Sequence, residues 1–322
     1  VPNVRAFICR SVVSIVMNGV EWLLHWLLLF SPFFCLVGLF LFGCLAMIPG
    51  MWMGVLCYLC FIVLMEPSEM EQEFWRRLQS IRIPFADYTK QFPVEGTVFP
   101  GQCIYALHPH GLLNTTLFVH GCCNESPLFD AITKGSTVVH SALFKLPLVR
   151  ECLLMKGAIP AHQSAMKIAL AKGRSLMLIP GGTSEVFYSR KGASERWNGT
   201  HKGFLQLAMD QGIPIVPIYI ENEQQLLTYV GDIPFLDWIG SWLTGVSTAF
   251  SPMLQGLLPH NLQTWWNVGM DQTAVTRTHM GAPFYPKGSL DDARKAYSIH
   301  VKGLFDSVHK GNRILEIVPL KI

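Results

Sequence analysis

Apolar and polar positions divide the chain near residue 65. From Trp22 to Met65 there is no Asp, Glu, Lys or Arg. That run is about twice the roughly 20 residues one helical membrane span needs, and far longer than the roughly 7–15-residue apolar core of a secretory signal. Pro49-Gly50, a turn-favouring pair, breaks it once. The pattern predicts two membrane helices, 22–48 and 51–65, folded as a hairpin whose short second arm dips into the bilayer. Arg5 and Arg10 precede the run, and Arg76, Arg77 and Arg82 follow it. Basic residues on both flanks put both ends in the cytosol. The competing reading is a buried helical pair, which rarely runs so far without a charge.

Past the acidic stretch that begins at Glu66, apolar runs shorten and alternate with helical periods. Segments 103–107, 136–140, 175–179 and 214–220 read as buried strands. Segments 164–172 and 203–211 read as helices closed by Gly173 and Gly212. Strands separated by helices predict an α/β layer fold with a largely parallel sheet. The expected division is a membrane anchor over 1–65 and a cytosol-facing α/β domain over 66–322. A second charge-free window, 238–270, carries Trp238, Trp242, Phe250, Trp265 and Trp266 but is interrupted by Pro252 and Pro259. It reads as an interfacial or re-entrant element, with ordinary apolar core as the alternative.

Composition narrows the classes. Half of the 322 residues are apolar and only 15% are charged, against about 25% in typical soluble domains. Disorder is excluded for most of the chain. A net charge of +3, from 25 basic and 22 acidic residues, gives no nucleic-acid footprint. Nine cysteines, an odd count in a long chain, fit reduced thiols better than a disulfide framework.

The chemistry gathers where strands end. Strand 103–107 runs into His108-Pro109-His110-Gly111, and ligands of α/β sheets bind outside the C-terminal ends of strands. Histidine there suits a general base because it titrates near neutral pH. A zinc pair would need further spaced ligands, which the sequence lacks. Strand 175–179 runs into Pro180-Gly181-Gly182-Thr183-Ser184-Glu185. Two glycines admit close backbone approach and turn N–H groups toward a ligand, and Glu185 reaches a neighbouring strand end. A base, a carboxylate to orient its imidazolium, and backbone donors for an oxyanion are what a hydroxyl needs to attack a thioester. The Gly-x-Ser-x-Gly elbow, the phosphate loop and the dinucleotide fingerprint are all missing.

In order along the chain, several short motifs resemble one family. They are Phe92-Pro93, His108-Pro109-His110-Gly111, Pro147-Leu148-Val149-Arg150-Glu151 and Pro180-Gly181-Gly182 with Glu185. Lys202-Gly203-Phe204, Ile213-Pro214-Ile215-Val216-Pro217, Glu221-Asn222 and Gly281-Ala282-Pro283 follow, then a helix over 297–310. The set resembles the type-2 diacylglycerol acyltransferases, with the related monoacylglycerol and wax-alcohol enzymes, from the hairpin to about Lys310. The resemblance implies an α/β, glycerolipid-acyltransferase-like layered fold with an N-terminal membrane helical hairpin. It implies an enzyme of the endoplasmic reticulum membrane, both termini cytosolic, with lipid droplets as a second location. The reaction implied moves a fatty acyl group from acyl-CoA, a co-substrate, to a neutral lipid hydroxyl without metal or other cofactor. Diacylglycerol is the first expected acceptor. Monoacylglycerol, a wax alcohol, a lysophospholipid, or a non-catalytic lipid-binding protein of the same fold remain alternatives. Membrane lipid is an expected partner, nucleic acid is not, and a homo-oligomer stays open.

The implied catalytic residues are His108, His110 and Glu185, and the implied substrate contacts are Gly111, Arg150, Gly181, Gly182 and Lys202. The wider glycerolipid acyltransferases carry an Asp five positions after their His. Here those positions are Leu113 and Thr115, so Glu185 is the expected substitute. Alignment with that His favours His108 as base. Departures at Gln91, in Asn198-Gly199-Thr200-His201 and in the 238–270 window bear on substrate identity more than on reaction type.

Overall fold

The computed structural model describes residues 52–65, 67, 92–122, 125–146, 149–189, 195–199, 201–231, 233, 234, 238, 255, 276–310 and 315–318. The expected helix 22–48 lies outside them, as does most of the 66–71 stretch. So does the 238–270 window apart from Trp238 and Gln255.

Strand β1 is Val94–Glu95, β2 Ile104–His108, β3 Ser136–Val139, β4 Ala158–Pro160 and β5 Leu176–Leu178. Strand β6 is Arg196–Asn198, β7 Ile215–Glu221, β8 Arg277–Met280 and β9 Glu316–Val318. Seven of them form one sheet in the order β1-β8-β7-β2-β5-β3-β4, while β6 and β9 pair separately. Pairing is parallel throughout the large sheet except between β7 and β8. The central strand β2 is buried at every residue, which is why it reads as a continuous apolar run.

Helix α1 is Trp52–Leu64, α2 Thr115–Cys122, α3 Phe129–Lys134, α4 Val149–Met155 and α5 Gln163–Ala171. Helix α6 is Thr183–Val186, α7 Gly203–Gln211, α8 Glu223–Leu226 and α9 Leu290–His309. The period-2 alternation of the strands sorts the core into two layers. Cys103, Tyr105, Leu107, Met177, Val216 and Ile218 face Leu117 of α2 and Ile132 of α3. Ile104, Ala106, Leu176, Leu178, Ile215 and Tyr219 face α5, α7 and α9. Helix α9 buries Ala293, Tyr297, Val301, Phe305 and His309, a stripe of one residue per turn. It begins seven residues before the expected 297, because Ser289 caps it by accepting the Asp292 N–H at 3.2 Å.

Among the described residues no helix is long and apolar enough to cross a membrane. Helix α1 has 13 residues, about 20 Å of rise against the roughly 30 Å hydrocarbon core. It is tied to the body rather than free of it. Tyr58 donates to Glu151 at 2.8 Å, Arg150 donates to the Met65 carbonyl at 2.8 Å, and the Arg150 guanidinium lies 5.3 Å from the Phe61 ring centre.

Candidate active site

Parallel β2, β5 and β7 are neighbours, so their C-terminal ends open on the same edge of the sheet. The segments after these three strands carry most of the polar chemistry.

His108, the last residue of β2, turns into the layer under α9 and is 2% exposed. Its Nε2 lies 2.9 Å from the Tyr297 hydroxyl, and its ring meets Trp197 edge-on at 5.0 Å. Nδ1 is buried with no hydrogen-bond partner. Burial pushes the imidazole down to about 3 and holds the Tyr297 phenol well above its ordinary value, so both are neutral at pH 7.

His110 follows a cis His108–Pro109 peptide bond and is only partly buried. Three contacts hold it. Its backbone N–H donates to Glu185 Oε2 at 2.7 Å, its Nδ1 pairs with the Gly111 carbonyl, and Asn114 Nδ2 lies 3.1 Å from its Nε2. A carbonyl only accepts, so the proton sits on Nδ1 and the Nε2 lone pair is left to the Asn114 amide. Burial pushes this ring down to about 4, opposed by the Gly111 carbonyl.

Glu185, fully buried on α6, was expected to orient an imidazolium. Instead its carboxylate grips two main chains, accepting the Asn198 N–H on Oε1 at 2.6 Å and the His110 N–H on Oε2. It positions the histidine loop through the backbone. Burial pushes its carboxyl up to about 8, and the two N–H donors pull the other way.

The glycines have separate reasons. A Cβ on Gly181 would stand 1.8 Å from the Glu185 carboxyl carbon, so only glycine lets that carboxylate lie across the turn. Gly182 has φ +57 at the start of α6, and its N–H is committed to the Ile179 carbonyl at 3.1 Å. The expected use of that amide as an oxyanion donor is thereby corrected. A Cβ on Gly111 would stand 2.8 Å from Glu223 Cγ.

Glu223, missed in the sequence, is buried at the start of α8, just past β7. Its Oε2 accepts the Thr116 hydroxyl and the Thr116 N–H, the latter at 3.4 Å, and burial pushes its carboxyl up to about 7. The strand-end rule that found His108 and Glu185 points equally to Glu223, two residues after β7. Tyr297, Trp197 and Asn114 carried no comparable motif.

Two expected substrate contacts have protein partners of their own. Arg150 is fully buried, donating to the Met65 carbonyl just past α1 and, at 3.3 Å, to that of Phe144, so it ties the end of α1 to the body. Lys202 pairs with Asp291 in the first turn of α9 in an exposed ion pair. Neither touches the two histidines in any contact seen here. Among the described residues no cluster of three His, Cys, Asp or Glu is arranged to hold a metal ion.

Residues 44–284 match the family model for diacylglycerol acyltransferase, well over half of the chain. The chain belongs to the diacylglycerol acyltransferase family. His108, His110, Gly181, Glu185 and Glu223 lie within the matched span, while Tyr297 lies beyond it. The chain is 28% identical to human diacylglycerol O-acyltransferase 2-like protein 6 over 52% of its own length and 49% of that protein. It is 28% identical to diacylglycerol O-acyltransferase 2B of Umbelopsis ramanniana over 62% and 58%. It is 27% identical to 2-acylglycerol O-acyltransferase 1 of Bos taurus over 73% and 71%. The chain thus spans about half to seven-tenths of the length of these relatives.

Proposed function

We infer that the chain is an acyl-CoA-dependent O-acyltransferase that esterifies a neutral lipid hydroxyl, with diacylglycerol as the acceptor and triacylglycerol as the product. Its working place is the endoplasmic reticulum membrane, anchored through the charge-free 22–65 run with both termini cytosolic.

The observation that carries this reading is the His110 ring. It is neutral and partly exposed, its Nδ1 is tied to the Gly111 carbonyl, and its Nε2 lone pair meets the Asn114 amide. A neutral imidazole whose Nε2 lone pair meets only a neutral amide can take a proton as a general base. His108, favoured by alignment alone, is shut beneath Trp197 and Tyr297, where no acceptor hydroxyl reaches it. Its part is to seat the strand end. Glu185 fixes the main chain of His110, so the base keeps its place without a partner carboxylate on the ring.

The acceptor hydroxyl gives its proton to His110 Nε2 as its oxygen attacks the thioester carbonyl carbon. Collapse of the tetrahedral adduct breaks the C–S bond, and Nε2–H returns the proton to the thiolate of CoA. The relatives' names span acceptors with one or two free positions on glycerol, which supports a neutral lipid acceptor. The test is incubation of membranes containing the full chain with labelled oleoyl-CoA and, in turn, diacylglycerol, monoacylglycerol, a long-chain alcohol, a sterol and a lysophospholipid. Label in triacylglycerol is the expected result. Label in another ester reassigns the acceptor. No transfer to any of them, from protein that still binds oleoyl-CoA, contradicts the reading.

A further inference from the structure

Asn114 sits at the head of α2, where its carbonyl accepts the Phe118 N–H at 3.1 Å. An Asn in that place ordinarily turns its side chain onto the helix's own free N–H groups. Here Glu223, from the start of α8, serves the Thr116 N–H instead. Asn114 also holds φ 50, a left-handed conformation, and this backbone aims its amide back at His110 Nε2, 3.1 Å away. The side chain is released from capping and turned toward the base. The oxyanion, meanwhile, lacks a donor from Gly182, whose N–H is committed to Ile179.

Resting on the base assignment above, we propose that Asn114 is a catalytic residue whose side-chain amide holds His110 Nε2 in the free enzyme and donates to the thioester oxyanion during transfer. The acceptor hydroxyl takes the amide's place on Nε2. The hydroxyl oxygen forms its bond to the carbonyl carbon, the proton passes to Nε2, and the carbonyl π electrons move onto oxygen. That oxygen is bonded to the same carbon as the oxygen that has just hydrogen-bonded Nε2, so it develops within reach of an amide displaced from the same nitrogen. The electron pair then returns, C–S breaks, and the thiolate takes the proton from Nε2. The amide is unchanged at the end and re-forms its contact with Nε2.

A purely conformational role for Asn114 makes a different prediction, because glycine adopts φ 50 without cost. The test compares wild type, Asn114→Gly, Asn114→Asp and His110→Ala in mixed micelles, with labelled oleoyl-CoA and dioleoylglycerol, and measures oleoyl-CoA binding alongside. Asn114→Gly is expected to lower kcat by about 10²–10³-fold, the usual loss of one oxyanion donor, with oleoyl-CoA affinity unchanged. Asn114→Asp places a carboxylate against Nε2 and is expected to move the acid limb of kcat/KM up by about one to three pH units. Near-normal kcat in Asn114→Gly, loss of oleoyl-CoA binding in that variant, or an unmoved acid limb in Asn114→Asp would each overturn the proposal if His110→Ala is inactive. Near-normal turnover by His110→Ala would instead remove the base assignment beneath it.

Discussion

Gly181→Ala tests how the base is held in place. The glycine is not in the left-handed region, so alanine brings no backbone penalty. The new Cβ, however, would stand 1.8 Å from the Glu185 carboxyl carbon. The carboxylate must leave, and the N–H groups of His110 and Asn198 then lose their acceptor. Each unpaired buried donor costs about 1–3 kcal/mol, so the loss is about 2–6 kcal/mol. Glu185→Ala empties the same two bonds and should cost a similar amount. The double variant has no carboxylate left to expel, so it should be no less stable than Glu185→Ala alone. The coupling between the two sites is therefore about 2–6 kcal/mol, well above the roughly 0.3–0.5 kcal/mol scatter of independent sites. Denaturant unfolding of the detergent-solubilised chain measures all four corners, with turnover followed in parallel. Additive losses would refute the claim that Gly181 exists to admit Glu185.

The remaining predictions concern stability and the other expected residues. Burial lowers His108, His110 and His120 to about 3–4, so stability is lost as pH falls below their ordinary value of 6.5. Burial raises Glu185 and Glu223 to about 8 and 7, so stability is lost as pH rises through that range. Unfolding midpoints should therefore peak at about pH 6.5, and a monotonic climb to pH 9 would contradict the buried carboxyls. Arg150→Met leaves the Met65 and Phe144 carbonyls unpaired and should cost about 2–5 kcal/mol with KM for acyl-CoA unchanged. Raised KM at unchanged stability would restore Arg150 to the substrate. Burial pushes the Cys103 thiol up to about 11, so Cys103 offers no thiolate nucleophile at neutral pH and Cys103→Ala should keep turnover. A folded but inactive Cys103→Ala would reopen covalent catalysis.

The main body of the fold was legible because its strands are buried on both faces and its helices end at glycines. Segments 103–107, 175–179 and 214–220 each fall within a residue of β2, β5 and β7, and 203–211 coincides with α7. Strands β1, β4, β6 and β9 have two or three residues each, too few to display a period. Their pairing comes from the tertiary fold. At the site, positions were legible and roles were not. The sequence brings His108, His110, Gly181 and Glu185 to two strand ends, but which histidine faces outward depends on the layer beneath α9. Tyr297 closes over His108 from a helix 189 residues away. Glu185 looked like a ring partner because a carboxylate beside a histidine usually is one. That its oxygens meet N–H groups instead follows from the turn geometry at Gly181, which the residue names do not carry. Arg150 stood in a family motif, yet its burial against Phe144 and Phe61 shows a packing role.

The most direct test of the account is turnover of labelled oleoyl-CoA with dioleoylglycerol by His110→Ala and His108→Ala, each verified as folded by oleoyl-CoA binding. The account predicts that His110→Ala loses about 10²–10⁴-fold in kcat, the usual worth of a general base, while folded His108→Ala keeps the greater part of its activity. Near-normal turnover by His110→Ala beside a dead His108→Ala would contradict it and return the base to the buried ring.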